Sequence, residues 1–577
     1  MNAERLLNHY EQIADAPDAI VRLRRFILDL AVRGKLVPQE AGEESASDLL
    51  KRIAKEKARL VKAGELRKPR DFDNGNDLNE PFAIPVTWRW LRLDAVGAIV
   101  GGGTPSAADS DNFTEPGEGV PWLTPADLGG YSNLYISRGS RDLSEKGSRA
   151  SSATVMPKGT VLFTSRAPIG YVAIAANAIS TNQGFKSIVP YVPDCSRFIA
   201  TAMKAFAPEI DAKAPGTTFK EVSGKIVAAI PFPLPPLAEQ NRIVAKVDEL
   251  MGLCDQLEAA RASRERSRDR LAAASLARLN APGPESFRAD ARFALDALPA
   301  LTTRPDQIKH LRQTILNLAM RGKLVPQDPN DNPASELLVS LHPGAKKARG
   351  KKTKSDNITL ADAPFDCPKG WVWTKVQNVL DENREISYGV IKLGDEPKSG
   401  GIPTLRCSDV RAGYVDLSGV RKVRETIEAE YARTRLSGGE VVINIRGTLG
   451  GVALVPPDLS GFNVAREVAV VPIADAIPGP FMVYLMLSPY FWDHIQNNLR
   501  GIAYKGLNLG ILRDLPIPLP PLAEQHRIVA KVDALLALCD RLEASLSATA
   551  GTRRRLLDAL LAEALAPAGA RELEAAE

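Results

Sequence analysis

Arg166 and Arg446 stand at matching places in two stretches, GTVLFTSRAPIGYVAIA from Gly159 and GEVVINIRGTLGGVALV from Gly439. Each reads as strand, turn, strand, with the arginine at the turn. A guanidinium presented on a turn can bond both acceptors of a guanine edge, and the amides of Asn182 and Gln183 can do the same for adenine. Arg466 falls on a further predicted turn. The same side chains serve equally well as turn caps or as partners of acids, so residue type alone leaves both uses open.

Bond-making chemistry finds no comparable foothold. The chain has no GxxxxGK[ST] phosphate loop and no GxGxxG after a strand; GGGTPS from Gly101 is glycine-rich but lacks that spacing. HExxH and paired Cys/His zinc spacings are missing, as are an NPPY-type loop and a glycine-rich cofactor motif of amino-methyltransferases. His9, His310, His342, His494 and His526 are scattered and assemble no Ser/His/Asp site. These absences point away from an enzyme and imply no cofactor on this chain.

The candidate residues sit in a duplicated frame. From Pro231 to Glu258, 22 of 28 positions equal those from Pro516 to Glu543. LRRFILDLAVRGKLVPQ from Leu23 matches LRQTILNLAMRGKLVPQ from Leu311 at 13 of 17 positions, and PFAIPVTWRW from Pro81 recurs as PFDCPKGWVW from Pro364. Between the repeats lie unlike blocks, roughly 91–230 and 374–515. Near their ends GTTFKEV, from Gly216, faces GIAYKGL, from Gly501. The blocks therefore share a fold and differ in surface loops.

The repeats read as helices. Ile243, Val247, Leu250, Cys254 and Leu257 alternate steps of four and three, as do Ile528, Val532, Leu535, Cys539 and Leu542, which is the spacing of an a/d seam. Two prolines precede each helix, Pro235 with Pro236 and Pro520 with Pro521. The first helix should run to about Asn280, ahead of NAPGPES. The LRxxIL segment is its natural partner, with the middle pair adjacent in sequence and the outer pair formed if the chain ends meet.

A chain of 577 residues implies three or four units. Its net charge of +5 permits an anionic partner without demanding one. Basic leaders precede both blocks: Lys51 to Arg70 holds nine Lys/Arg against two Glu, and Lys346 to Lys354 holds six and no acid. They read as solvated, flexible segments or as phosphate contacts flanking each block. Five cysteines without CxxC pairing suit a reducing compartment, and no apolar run reaches membrane-spanning length, so a cytoplasmic location without membrane is expected.

The paired PLPPLAEQxRIVAKVDxLxxLCDxLE and LRxxILxLAxRGKLVPQ blocks closely resemble the repeated regions of type I restriction–modification specificity subunits, in order and spacing over essentially the whole chain. GGTPS (Gly102 to Ser106), VPWLTPADL (Val120 to Leu128) and TNQGFKSI (Thr181 to Ile188) resemble one class of target-recognition domain; the second block has only the partial match IPTLRCSDV (Ile402 to Val410) and lacks NQG. The resemblance implies an α/β fold class: two globular α/β target-recognition domains separated by long antiparallel coiled-coil-like helices in a pseudo-two-fold circular arrangement. The implied boundaries are 1–80 helical, 81–235 first recognition domain, 236–363 central spacer, 364–520 second recognition domain and 521–577 terminal helix. It further implies a non-catalytic reader of a bipartite, non-palindromic site in double-stranded DNA, docking two methyltransferase subunits and restriction/translocase subunits, with S-adenosylmethionine, ATP and Mg on those partners. A coiled-coil adaptor displaying two protein-binding domains is the rival. Candidate DNA-binding residues are Thr104, Ser106, Arg166, Asn182, Gln183, Thr217 and Lys220 in the first block and Arg406, Arg446, Arg466, Tyr504 and Lys505 in the second, with Lys220 and Lys505 assigned to phosphate.

Overall fold

The computed structural model describes residues 13, 15–40, 42–64, 80–216, 220–280, 286–341, 363–499 and 506–566. The chain divides into two units, residues 1–263 with 550–577, and residues 264–549. Each long repeat forms a 44-residue helix, Leu237–Asn280 and Leu522–Leu565, about 66 Å at 1.5 Å per residue. Among the described residues no helix is long and apolar enough to cross a membrane.

In the first unit the Ala19–Val32 helix has two apolar faces. Ile27 and Ala31 join the core of Trp88, Ile243, Val247 and Cys254. Phe26 and Leu30 join Leu557, Leu560 and Leu561 from the end of the last helix. Charged groups fix both contacts: Arg24 bonds Asp255 at 2.6 Å and Glu258 at 2.7 Å, while Arg22 pairs with Asp558 and Arg554 with Asp18. The second unit repeats the plan. Ile308 and Ile315 of the Pro305–Met320 helix share a core with Ile528, Val532 and Cys539, and Arg312 bonds Asp540 and Glu543 at 2.6 and 2.7 Å. Arg304, at the start of that helix, bonds Asp269 at 2.9 Å and also pairs with Glu265.

The helices pair differently from the sequence expectation in one respect. The near half of each long helix packs on the LRxxIL helix that precedes its own block, and only the far end meets the other one. The seam is also shorter than its spacing suggests: Leu257 is exposed, because the near-half contact closes with Arg24 on Asp255 and Glu258.

Each block enters and leaves its frame through a two-stranded ribbon. Arg89–Arg92 pairs antiparallel with Pro231–Leu234, and Val372–Lys375 pairs likewise with Pro516–Leu519. Prolines alternating along the exit strands are tolerated because each ribbon is only two strands wide, leaving an unpaired side for their missing donors. Leu93 N donates to Ile230 O at 3.0 Å and Val376 N to Leu515 O at 3.1 Å, closing each block at its neck. The first block then forms a five-stranded sheet in the order Gly97–Gly101, Lys186–Pro190, Val161–Ser165, Ile169–Ala175, Tyr135–Ile136, with a four-stranded sheet beside it. The second forms a four-stranded sheet, Ser387–Tyr388, Val468–Val471, Val441–Asn444, Val452–Leu454, beside a three-stranded one.

One polar cluster ties the frame together, and it occurs twice. Glu239 Oε2 accepts from Trp88 Nε1 at 2.9 Å and its Oε1 from Gln39 Nε2 at 2.6 Å. Glu524 accepts from Trp371 Nε1 at 2.9 Å and Gln327 Nε2 at 3.0 Å. Both carboxylates are 1% exposed. Burial raises both pKa values, and the indole and amide donors pull the other way by favouring the charged form. The adjoining glutamines bond back onto proline carbonyls, Gln240 Nε2 to Pro235 O at 3.0 Å and Gln525 Nε2 to Pro520 O at 2.9 Å. Gly34 and Gly322 turn the chain after the LRxxIL helices with φ of 66° and 64°, and a side chain at either would collide with Pro85 or Pro368. Arg33 then lies over Phe82, which packs edge-on to Trp90; Arg321, Phe365 and Trp373 repeat the stack.

Trp88→Phe removes one donor from a buried carboxylate while keeping an aromatic side chain. The expected cost is about 1–3 kcal/mol of unfolding free energy, read by denaturant titration of the full chain. Trp90→Phe, on the stack and away from Glu239, should cost less.

Candidate nucleic-acid interface

Backbone hydrogen bonds bring the sequence candidates of the first block to one end of its sheets. Gly103 N donates to Thr181 O at 2.8 Å, and Asn182 N to Leu123 O at 2.8 Å, so GGTPS, VPWLTPADL and TNQG converge. Gly102 is needed there, since a Cβ would strike the Asn182 carbonyl. Trp122 Nε1 donates to Gly103 O at 3.0 Å from beneath. Ser165 N donates to Gly184 O and Val222 N to Ser165 O, at 2.8 and 2.9 Å, which brings in the Arg166 turn and the segment ending in Glu221.

Gln183 is exposed, and its Oε1 accepts from Thr104 Oγ1, so its amide nitrogen is the group left to face outward. Asn182 Oδ1 accepts from Gly184 N at 2.8 Å and is partly spent on its own turn. Arg166, half-buried at the turn, bonds Glu221 Oε2 at 3.4 Å. Lys186 reaches Gln183 O at 3.2 Å and Glu221 Oε1 at 3.6 Å. Ser106 is exposed, and its carbonyl accepts from Asn112 Nδ2 at 3.0 Å. Lys220 donates to Asp211 O at 2.9 Å, at the carboxyl end of the Ser196–Lys213 helix, where a cation also suits the helix dipole. Thr217 lies outside the described residues.

The second block repeats this backbone pattern with other side chains. Val390 N donates to Val464 O, Ala465 N to Leu405 O, Ile445 N to Glu467 O and Leu507 N to Ile445 O, each at 2.8 Å. Matching these bonds to those above sets Arg466 at the place of Gln183, Arg446 at Arg166, Ile391 at Thr104, Ala469 at Lys186 and Gly506 at Glu221. Arg446 and Arg466 are exposed, and their guanidiniums have no partner among the described residues. Arg406 is different. It occupies the place of Thr124, and its Nε and Nη2 bond the nearly buried Asp409 at 3.1 Å while Nη2 also bonds Gly419 O at 2.5 Å. Those bonds to Asp409 push the Arg406 pKa up. Arg406 therefore props a turn, as Thr124 does by bonding Asp127 Oδ2 at 2.7 Å. Tyr504 and Lys505 lie outside the described residues.

Sequence reasoning missed Lys186, Glu221, Ile391 and the Asp409 anchor. Glu221 was visible as the acid of GTTFKEV with a glycine opposite it in GIAYKGL. The equivalence of Gln183 and Arg466 had no sequence signal, because TNQG and NVARE share too little to align. Among the described residues no cluster of His, Cys, Asp and Glu is suited to a metal ion.

Comparison with known proteins fits this duplicated layout. A family model described as "Type I restriction modification DNA specificity domain" matches twice, over residues 85–264 and 370–550. The EcoAI type I restriction enzyme specificity subunit of Escherichia coli is 28% identical over 94% of this chain and 93% of its own length. The EcoEI specificity subunit of the same organism is 27% identical over 95% and 94%. A crystal structure of the HsdS subunit from Thermoanaerobacter tengcongensis covers 84% of this chain and 98% of that chain at 20% identity, with a TM-score of 0.38.

Arg406→Ala should act on stability. Removing the guanidinium from the nearly buried Asp409, which keeps Ser408 Oγ and the main-chain N of residue 406 as donors, is expected to cost about 1–3 kcal/mol by denaturant unfolding. Arg446→Ala, at an exposed side chain without a described partner, should change stability by less than about 0.5 kcal/mol.

Proposed function

We propose a working mechanism from one premise: the chain belongs to the type I restriction modification DNA specificity family. It is a specificity subunit of a type I restriction–modification system. Each block reads one half of a bipartite, non-palindromic site in duplex DNA, and the frame around them docks two methyltransferase subunits and the restriction/translocase subunits. Methyl transfer, ATP hydrolysis and cleavage, with S-adenosylmethionine, ATP and Mg, belong to those partners.

The observation that carries this reading is the matched pair of tips. The same backbone bonds present Thr104, Gln183 and Arg166 in one block and Ile391, Arg466 and Arg446 in the other. An amide, a hydroxyl and a tethered arginine suit one set of base edges. Two arginines beside an aliphatic side chain suit another: guanine acceptors and a thymine methyl. Equal skeletons with unequal contact groups give two different half-sites, hence a site without a palindrome. Phosphate contacts would position the complex without adding sequence information, the role assigned to Lys220 and Lys505; Lys220 has a competing helix-end carbonyl.

In this reading the long helices act as a spacer that fixes the gap between half-sites, as fixed spacing does in other DNA readers. Supporting the pseudo-two-fold circular arrangement, the last helix returns to Ala19–Val32 just as the far end of Leu237–Asn280 meets Pro305–Met320. Reaching an adenine inside a duplex requires its extrusion, so the specificity subunit must hold DNA firmly while a partner does so.

The test is a panel of duplexes carrying single-base changes in each half-site, bound by the co-purified complex. Arg466→Ala should relax one or two positions of one half-site by about 1–3 kcal/mol each, about 5- to 150-fold, and leave the other half-site as it was. An equal loss against every duplex would assign Arg466 to the phosphate backbone. A protein-binding adaptor would show no salt-dependent duplex binding at all.

A further inference from the structure

At the tip of the first block, Glu221 stands between two cations. Its Oε2 accepts from Arg166 at 3.4 Å, and its Oε1 lies 3.6 Å from Lys186 Nζ. All three side chains are partly solvent-exposed, at 34% for Arg166, 16% for Lys186 and 45% for Glu221, so the carboxylate is not a buried structural charge. In the second block the matching position is Gly506, and Arg446 has no carboxylate partner among the described residues. Glu467, whose carbonyl accepts from Ile445 N and Arg446 N at this tip, acts on Arg406, which is already held by Asp409. Among the described residues the two tips therefore share an arginine and differ in whether an anion restrains it.

That difference has a physical consequence once the tip meets DNA, and the argument rests on the DNA-reading function proposed above. An unrestrained arginine binds any phosphate and adds affinity without sequence preference. A carboxylate beside it repels phosphate, holds the guanidinium in one direction and offsets part of the cationic charge. Only a donor on a base edge, the amino group of cytosine or adenine, would be welcome next to such an oxygen. We infer that Glu221 is a specificity-determining residue of the first block, a fixed anion that orients Arg166 and Lys186 and suppresses binding to the wrong sequence. It acts through its two neighbours and through repulsion, a means of raising discrimination at the expense of total affinity.

The experiment uses the full-length chain in its co-purified complex. Glu221→Gln keeps shape and removes charge; Gly506→Glu supplies the missing carboxylate, and a Cβ at Gly506 meets the Arg446 side chain at an ordinary 3.5 Å. Binding is measured against a duplex lacking the site, over a salt series, and against single-base variants of each half-site. Glu221→Gln should tighten binding to the site-free duplex by about two- to five-fold, the range one exposed ion pair carries, and steepen its salt dependence. Discrimination in the first half-site should fall by a similar factor, with the second unchanged. Gly506→Glu should weaken site-free binding and leave the first half-site alone. Unchanged binding in Glu221→Gln, or equal changes in both half-sites, would overturn the inference. So would loss of first-half-site binding without any gain on the site-free duplex, since that outcome makes Glu221 a direct base contact. If the wild-type complex discriminates no duplex at all, the DNA-reading function and this inference fall together.

Discussion

A buried carboxylate at the first turn of each long helix organises this molecule. Glu239 and Glu524 each join three chain segments that are distant in sequence: the helix itself, the tryptophan just ahead of the entry strand, and the glutamine that follows the RGKL turn. A carboxylate nearly out of water is costly unless its oxygens are bonded, so the geometry has little room to vary. Fixing those three segments fixes the direction of the LRxxIL helix and the neck through which the block is attached. The surrounding groups follow from it: Gly34 and Gly322 pack where a side chain would collide with proline, and Arg33 and Arg321 stack over the phenylalanines beside the neck.

Such a joint explains why one part of the chain is duplicated closely while another diverges. The neck bonds, Leu93 to Ile230 and Val376 to Leu515, isolate each block from the frame at two adjacent strands. Within the blocks the constraint passes to backbone hydrogen bonds. Val390 replaces Gly103 and Ala465 replaces Asn182 without disturbing the bonds their main chains make. Side chains at the tip are then free to change class, from amide to guanidinium at Gln183 and Arg466, and from hydroxyl to aliphatic at Thr104 and Ile391. A common scaffold with exchangeable contact groups is what reading two different DNA sequences requires.

Much of this was legible in the residues. The repeats marked the frame, the alternating threes and fours marked the long helices, and the matched strand–turn–strand stretches placed Arg166 and Arg446 at equivalent turns. Periodicity ended too late at Leu257, because spacing describes which residues share a face and not where the partner helix stops. Nothing in the sequence marks Glu239 and Glu524 as buried, since that depends on Trp88 and Trp371, more than a hundred residues away. At Arg406 residue type does not reveal the neighbouring Asp409 that bonds its guanidinium. The correspondence of Gln183 with Arg466 emerged only from main-chain hydrogen bonds, which leave no trace in side-chain identity.

The central claim is that the blocks are independent readers on a common frame. It is tested most directly by replacing residues 376–515 with a second copy of residues 93–230, joined at the neck positions, and determining the methylated sequence in cells expressing the chimera with its partner subunits. The account predicts a site made of the first half-site twice, in inverted orientation, with the original gap. Retention of any base from the second half-site, or a changed first half-site, would contradict it.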